Sequence, residues 1–383
     1  MSARDRRQPK TSVSRSSSAV KTLRYRRSLH IVLYWRGSEL VFENFARGSR
    51  ISAAPVVCEI LDACSNWRSP GELASTLAAY NIRSVRSTLR QLWRLGFLES
   101  SRHGRDNREV AMESWLPWNP AAGFFHFSTK DQAFAMDHFG AFQELKRRAR
   151  FDPMPRPVKN YPGAPRTPLR RAAGKNSEFA EVLRTRRTWR KFSATPVPLQ
   201  DVGEILDLTF GIQAWAEVPG LGKAAVKTSP SGGGLHPVEA YVVARKVRGL
   251  RSGIYHYDAK GHRLEWLRGG ISRDNIKKHL GNQWWFADAA FFVLMTAVFP
   301  RTWWKYHYPR VYRAILLEAG HLCQSFCLTA TWRGLAPFCT IALADSQWEK
   351  LLGIDGVKES IVYAAGAGAR PENERGAHLM KLG

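Results

Sequence analysis

Residues 229–243 read SPSGGGLHPVEAYVV. Three consecutive glycines stand between Ser-Pro-Ser and His-Pro, and an apolar run follows at once. A Gly-rich turn that feeds a strand redirects the chain cheaply. It also lets backbone amides come close to a ligand. Both uses fit these residues. The stretch is not G-x-G-x-x-G, it precedes a strand rather than a helix, and no Walker lysine follows. Neither a Rossmann nor a P-loop site is indicated.

Outward from this loop, residues 177–383 alternate helices and strands. SEFAEVLRTRR (177–187) and PLQDVGEILDLTFG (198–211) read as helices, the second bounded by Pro198 and Gly211. EAYVVAR is a strand, and GIYHYD and HRLEWLR alternate around Lys260-Gly261. AAFFVLMTAVF (289–299) is too short to span a bilayer and suits a central buried strand. RVYRAILLEAGHLCQSFCLTATWRG is a long helix, apolar on most faces and expected to be buried on both sides. ADSQWEKLLG is a helix with Asp345 as N-cap, and SIVYAAGAG is a last strand. The pattern predicts an α+β domain.

Residues 28–100 form a second compact pattern. SLHIVLYW and ELVFENF predict a hairpin around Arg36-Gly37. Ser69 and Pro70 open a helix, and SVRSTLRQLWRLG closes one at Gly96. Helices followed by the short strand FLES resemble a winged helix. Arg83, Arg86, Arg90 and Arg94 share one helix face. That face suits DNA, a peptide leader, or plain solvation. Residues 101–176, rich in Pro and Trp, are expected to link the two domains and wrap over the larger one, with one helix near 130–149. Residues 1–27 are Ser- and Arg-rich and read as a disordered basic tail, with a loose likeness to a transit peptide.

The 58 Lys and Arg against 32 Asp and Glu give a net charge of +26, which implies an acidic partner. The cysteines Cys58, Cys64, Cys323, Cys327 and Cys339 are odd in number and contain no C-x-x-C pair. They indicate neither a disulfide framework nor a metal site. A reducing, cytoplasmic setting without a membrane span is expected.

Three further segments carry chemistry. RRTWRKF (186–192) packs cations around Thr188 at a helix end, which suits a phosphate or simply the helix dipole. WWKYHYPRVYR (303–313) surrounds Lys305 with aromatics. Desolvation there would make it a base, or its stem would snorkel along an amphipathic surface. LLEAGHLCQ (316–324) repeats polar groups at Glu318, His321 and Gln324 on a mostly apolar helix, and buried ones need partners.

Together, RRTWRKF, SPSGGGLHPVEAYVV, KYHYPRVYRAILLEAGHLCQ and WRGLAPFCTIALADSQWEKLLGID, in this order, resemble the FMN-dependent nitroreductase superfamily over about 177–370. They look most like its azoline dehydrogenase branch, the oxidase components of thiazole/oxazole-forming peptide synthetases. FFHFSTK (124–130) resembles an upstream segment of the same branch. The resemblance implies a homodimer with an FMN site at each side of the interface, built on a mostly antiparallel sheet flanked by helices. It places Arg186, Arg187, Thr188 and Arg190 at the FMN phosphate and ribityl chain, with Arg370 completing that site. Pro230, Ser231, Gly232 and Gly233 would line the flavin from the partner subunit, and Leu335 and Ala336 would approach it through backbone. Lys305-Tyr306 matches the branch's Lys-Tyr pair, linked there to removal of a ring proton. Thr188 stands for the family's usual serine, His236 for a usual Tyr, and GLAPF for a more Gly-rich turn. The implied partners are a peptide substrate, with an acidic leader suiting the charge, and a cyclodehydratase; nucleic acid is not implied. The alternatives are an NAD(P)H-dependent flavin reductase of the same fold and a DNA-binding regulator with a degenerate flavin domain.

Overall fold

The computed structural model describes residues 22–103, 105–131, 138–152, 177–218 and 222–372. The chain divides into two compact units after Glu113. No helix among the described residues is long and apolar enough to cross a membrane.

The first unit contains β1 (Tyr25–Arg27), β2 (Ile31–Arg36), β3 (Glu39–Asn44), β4 (Ser49–Ser52), α1 (Val56–Ala63), α2 (Pro70–Thr76), α3 (Ile82–Arg94), β5 (Leu98–Ser100) and α4 (Asn107–Met112). The β2–β3 hairpin turns at Gly37, and β4 extends it antiparallel. Ser69 accepts from the Glu72 N–H while the Glu72 carboxylate accepts from the Ser69 N–H, a capping box ahead of Pro70. Gly96, with φ +84°, ends α3 and leads the chain into β5. The basic tail expected over 1–27 lies outside the described residues up to residue 21. Its last residues, Tyr25–Arg27, are strand β1, paired antiparallel with β5, and Tyr25 is buried. Arg83, Arg86, Arg90 and Arg94 are all exposed on α3, opposite the buried Val85, Leu89 and Leu92.

The second unit contains α5 (Ala121–Thr129), α6 (His138–Arg148), α7 (Glu178–Thr185), β6 (Val197–Pro198), α8 (Leu199–Phe210), β7 (Ala214–Val218), β8 (Gly222–Val226), β9 (Val238–Ala244), β10 (Val247–Arg248), β11 (Gly253–Asp258), β12 (Arg263–Gly269), α9 (Arg273–His279), β13 (Phe291–Val298), α10 (Phe299–Trp303), α11 (Tyr312–Trp332), β14 (Leu335–Thr340), α12 (Asp345–Leu352) and β15 (Glu359–Ala369). The stretch expected to link and wrap is helical where described, and its Trp115 and Trp118 are fully buried.

Six strands form one antiparallel sheet in the order β12-β11-β9-β13-β15-β14. The central strands β9 and β13 are apolar on both faces because helices cover both. Ala240, Val242, Phe291, Val293 and Met295 pack with α8 and α11. Tyr241, Val243, Phe292 and Leu294 pack with α9 and α12. This is why AAFFVLMTAVF reads as an unbroken apolar run rather than an alternating one.

Two expectations need correction. The helix α11 is buried along one face, but Leu316, Leu317 and Trp332 are exposed in the single chain, Leu317 at 63%. Asp345 is the first residue of α12 rather than its cap; its carboxylate accepts from the Asp131 N–H instead.

Gly366 sits on β15 between aromatic neighbours. A Cβ there would stand 2.5 Å from the Phe338 ring and 2.7 Å from the Phe292 Cβ. Gly366→Val overpacks this layer, with an expected loss of about 2 kcal/mol in denaturant unfolding.

Candidate functional site

The glycine loop is held down by α11 and by its own histidine. Ser231 Oγ donates to Glu318, a carboxylate buried on α11, and the Val238 N–H at the start of β9 also favours its charged form. Burial pushes the Glu318 carboxyl above its ordinary range. Ser229 bonds Ser325 at 2.9 Å, one turn and more further along the same helix. The polar triplet on this helix thus splits. Glu318 is the loop's anchor, while His321 and Gln324 are exposed.

His236, for which the sequence offered no role, is the loop's clasp. Its N–H donates to Ser231 Oγ at 2.9 Å, its Nε2 donates to the Ala225 carbonyl at 3.1 Å, and its own carbonyl accepts from Arg301 at 2.9 Å. It holds φ +43°, a left-handed conformation that its several bonds keep in place.

Lys305 and Tyr306 come to this loop from the far end of α10. Lys305 Nζ donates to the Gly233 carbonyl at 3.3 Å and lies 5.4 Å from the Tyr306 ring centre. Gly233 has φ +73°, and a Cβ there would stand 2.5 Å from the Tyr306 hydroxyl. Glycine is therefore required twice at this position, for its dihedral and for the tyrosine's approach. Lys305 is exposed in the single chain, not enclosed by its aromatic neighbours.

Gly233 and Lys305 open onto a cavity of about 770 Å³, also lined by Trp215, Lys227, Glu239, His256 and Trp304. The sequence did not single out the last five. One signal was available, the lone carboxylate of VEAYVV: Glu239 pairs with Arg301 and with His256. Burial holds the Lys227 ammonium below the usual lysine range, partly offset by the charges of Glu239 and Glu318.

The second group of residues lies elsewhere. Arg370 donates to the Leu335 carbonyl at 2.9 Å and to the Thr331 carbonyl at 3.3 Å, and its guanidinium stands 5.5 Å from the Trp189 ring. The Trp189 N–H donates to Pro337, binding RRTWRKF to β14. So Arg186, Thr188, Arg190, Leu335, Ala336 and Arg370 gather around β14. Arg187 turns back to donate to the carbonyls of Arg184 and Arg186, the helix-end role that the sequence also allowed. Ala336 is fully buried and paired with Gly368. Neither Arg186 nor Arg370 has a carboxylate within ion-pair distance among the described residues. Burial lowers the Arg370 pKa, so an anion placed here would be welcomed.

The two groups are separated along α11. The loop meets the helix at Ala314, Glu318 and Ser325, whereas Arg370 touches it at Thr331. Its glycine end, at Ala314, is seventeen residues from Thr331, about 25 Å along the helix, while its Ser229 end is six residues away, about 9 Å.

His256 gives this region a pH signature. Its bond to Glu239 is the largest influence on it, and its 2.9 Å bond to Glu265 adds to that against the opposing effect of burial. The imidazole is pushed up to about 9. Because its folded pKa exceeds its unfolded value, its stabilising effect is full below about pH 6.5 and is lost as pH rises through about 9. Thermal melts of the wild type should fall toward those of His256→Gln across this window.

A Nitroreductase family model matches residues 183–369. Putative nitroreductase MJ1384 of Methanocaldococcus jannaschii is 28% identical over 177 residues, covering 46% of this chain and 85% of that protein. Trifolitoxin-processing protein TfxB of Rhizobium leguminosarum bv. trifolii is 30% identical over 149 residues, covering 36% of this chain and 38% of TfxB. Among solved structures, a chain of the E. coli microcin synthetase McbBCD complex with truncated pro-MccB17 bound aligns over 71% of this chain and 100% of its own. The TM-score is 0.50 at 20% identity, a likeness of fold. With its antiparallel sheet, its glycine loop and its arginine-lined β14 edge, the segment 183–369 is a nitroreductase-family domain.

Proposed function

We propose that this chain is an FMN-dependent dehydrogenase that oxidises thiazoline or oxazoline rings to thiazoles or oxazoles in a ribosomally made peptide. The observation that carries this is the seating of Lys305 and Tyr306 on the glycine loop, at the mouth of a cavity large enough for a heterocycle and its flanking residues. The relatives support the substrate class: TfxB is named for processing trifolitoxin, and the McbBCD structure holds a truncated pro-peptide.

The residues fit the cofactor. Arg370 and Arg186 are cations without carboxylate partners among the described residues, and a phosphate supplies the missing charge. Arg190 and Thr188 would bind beside them, with Arg187 supporting the turn. The exposed backbone of Gly232 and Gly233, with Pro230 and Ser231, would pass along the ring system, and Leu335 and Ala336 would back it. The glycine end of the loop meets α11 about 25 Å from the Arg370 contact, so a second copy would supply the glycines to each site. The exposed Leu316, Leu317 and Trp332 of α11 would be covered in that homodimer.

FMN, when bound, supplies the acceptor for the hydride that leaves the ring. The protein's own task is to orient the ring and remove the proton. Tyr306 takes the ring proton, or Lys305 does so through it. The Gly233 carbonyl fixes the lysine, so base and loop are positioned together. His236 and Glu318 keep the loop from shifting when substrate enters.

The first unit would grip the peptide's leader. Its exposed Arg83, Arg86, Arg90 and Arg94 suit an acidic segment, and the overall charge of +26 would draw such a segment in. A cyclodehydratase would deliver the azoline. A steep salt dependence with arbitrary duplex DNA, and none of this with an acidic peptide, would instead favour a nucleic-acid role for this unit.

Lys305→Ala and Tyr306→Phe are each expected to lower azoline oxidation, read as loss of two hydrogens by mass spectrometry, by about 10²- to 10⁴-fold while flavin absorbance is retained. Unchanged turnover with intact flavin content would remove the assignment. NAD(P)H-driven reduction of a nitro compound or quinone without azoline oxidation would replace it with a flavin reductase. A purified protein that takes up no flavin would favour the regulator.

A further inference from the structure

Cys323 and Cys327 stand one turn apart on α11, and both are buried. Cys339 lies on β14, twelve positions beyond Cys327 in sequence, yet the three Sγ atoms are all within 4.8 Å of one another. This is the one group of three or more such side chains, among the described residues, placed to share a metal ion. The sequence argued against a metal because no C-x-x-C pair is present. The fold reaches an equivalent arrangement by another route. A helical i, i+4 pair supplies two sulfurs from one face, and a strand packed on that face supplies the third.

From this clustering we infer that Cys323, Cys327 and Cys339 form a binding site for a thiophilic divalent ion of the zinc class. Three sulfurs around zinc at about 2.3 Å stand about 3.8 Å apart in tetrahedral geometry, so side-chain adjustments of about an ångström or less close the site. The Tyr363 hydroxyl donates to Cys339 Sγ at 3.5 Å, a bond that supports a thiolate there and leaves the fourth position to water. No carboxylate or imidazole belongs to the group, which disfavours calcium, magnesium and manganese and favours a soft-ligand ion. Charge also points to a divalent ion. Three thiolates would carry −3, and a divalent ion would return +2. With two ligands buried in the core, the site is closed to substrate and its role is structural. It would join the C-terminal half of α11 to β14, the strand that carries Leu335 and Ala336.

The full chain, purified with whatever cofactor it retains and stripped of metal, is titrated with cobalt(II) alone and then with zinc(II). One equivalent of cobalt should give a thiolate-to-cobalt charge-transfer band in the near ultraviolet and intense tetrahedral visible bands, both bleached by zinc. Cys327→Ser and Cys339→Ser should lose the bands, and Cys64→Ser should keep them. Zinc should raise the melting temperature of the wild type and leave that of Cys339→Ser unmoved. Cys339, the half-exposed member, is the variant that tests the site if Cys327→Ser does not fold. A folded wild type that takes up no stoichiometric cobalt or zinc overturns the site. So do bands that persist in the cysteine variants, or cysteines that oxidise to a disulfide with no metal uptake.

Discussion

A carboxylate buried in the apolar face of a helix must find donors, and Glu318 finds them in the glycine loop. Ser231 Oγ donates to it and in turn accepts from the His236 N–H, so one side chain on α11 ties the loop down at both sides of its glycines. Desolvating Glu318 is costly unless that bond is made. The loop cannot drift without orphaning that group. Three glycines would otherwise leave this segment free to take many conformations. The position of Gly233 relative to Tyr306, and hence of Lys305 relative to the loop, follows from this single buried acid.

The same helix sets the scale of the site. It meets the loop at Ala314, Glu318 and Ser325, and its C-terminal end leads through Thr331 and Gly334 into β14. Along the helix, Ala314 and Thr331 stand about 25 Å apart. A nucleotide-sized cofactor needs both a cation to neutralise its phosphate and a flat backbone surface for its ring. In the proposed reading these two features come from different copies of the chain, and the apolar side chains left exposed along α11 would lie between them.

Charge is spent unevenly over the molecule. Most arginines of the second unit have local partners: Arg333 meets Asp201 and Glu204, Arg273 meets Asp288, and Arg301 meets Glu239. Arg187 satisfies helix-end carbonyls, a common use of a cation at that position. Near β14, Arg186 and Arg370 have no carboxylate within ion-pair distance among the described residues, and Arg370 is desolvated as well. Excess positive charge in the whole chain suits an acidic partner without locating it. Two arginines with carbonyl or no partners at one strand edge say where such a partner's charge would sit.

Much of the fold was legible in the sequence because its signals are local. The hairpin at Gly37, the Ser69 cap, the Gly96 stop and the two-faced apolar run of β13 depend on neighbouring residues and on burial, which period and turn chemistry report directly. Gly233 and Lys305 stood out by residue type, whereas the pairing of Lys305 with Tyr306 and the choice of Arg370 came from the resemblance of their segments to a family. Only tertiary structure decided how they group. Contacts between Lys305 and Gly233, between Arg370 and Leu335, and between Cys339 and the Cys323–Cys327 pair join residues 12 to 72 positions apart, and no period or turn rule specifies such pairings. His236 and Glu239 were opaque for the same reason: their roles lie in partners on other elements. The sequence by itself determined which residues could serve a site. The packing of α11 against the sheet decided which of them meet, because a helix displays its faces to different neighbours along its length.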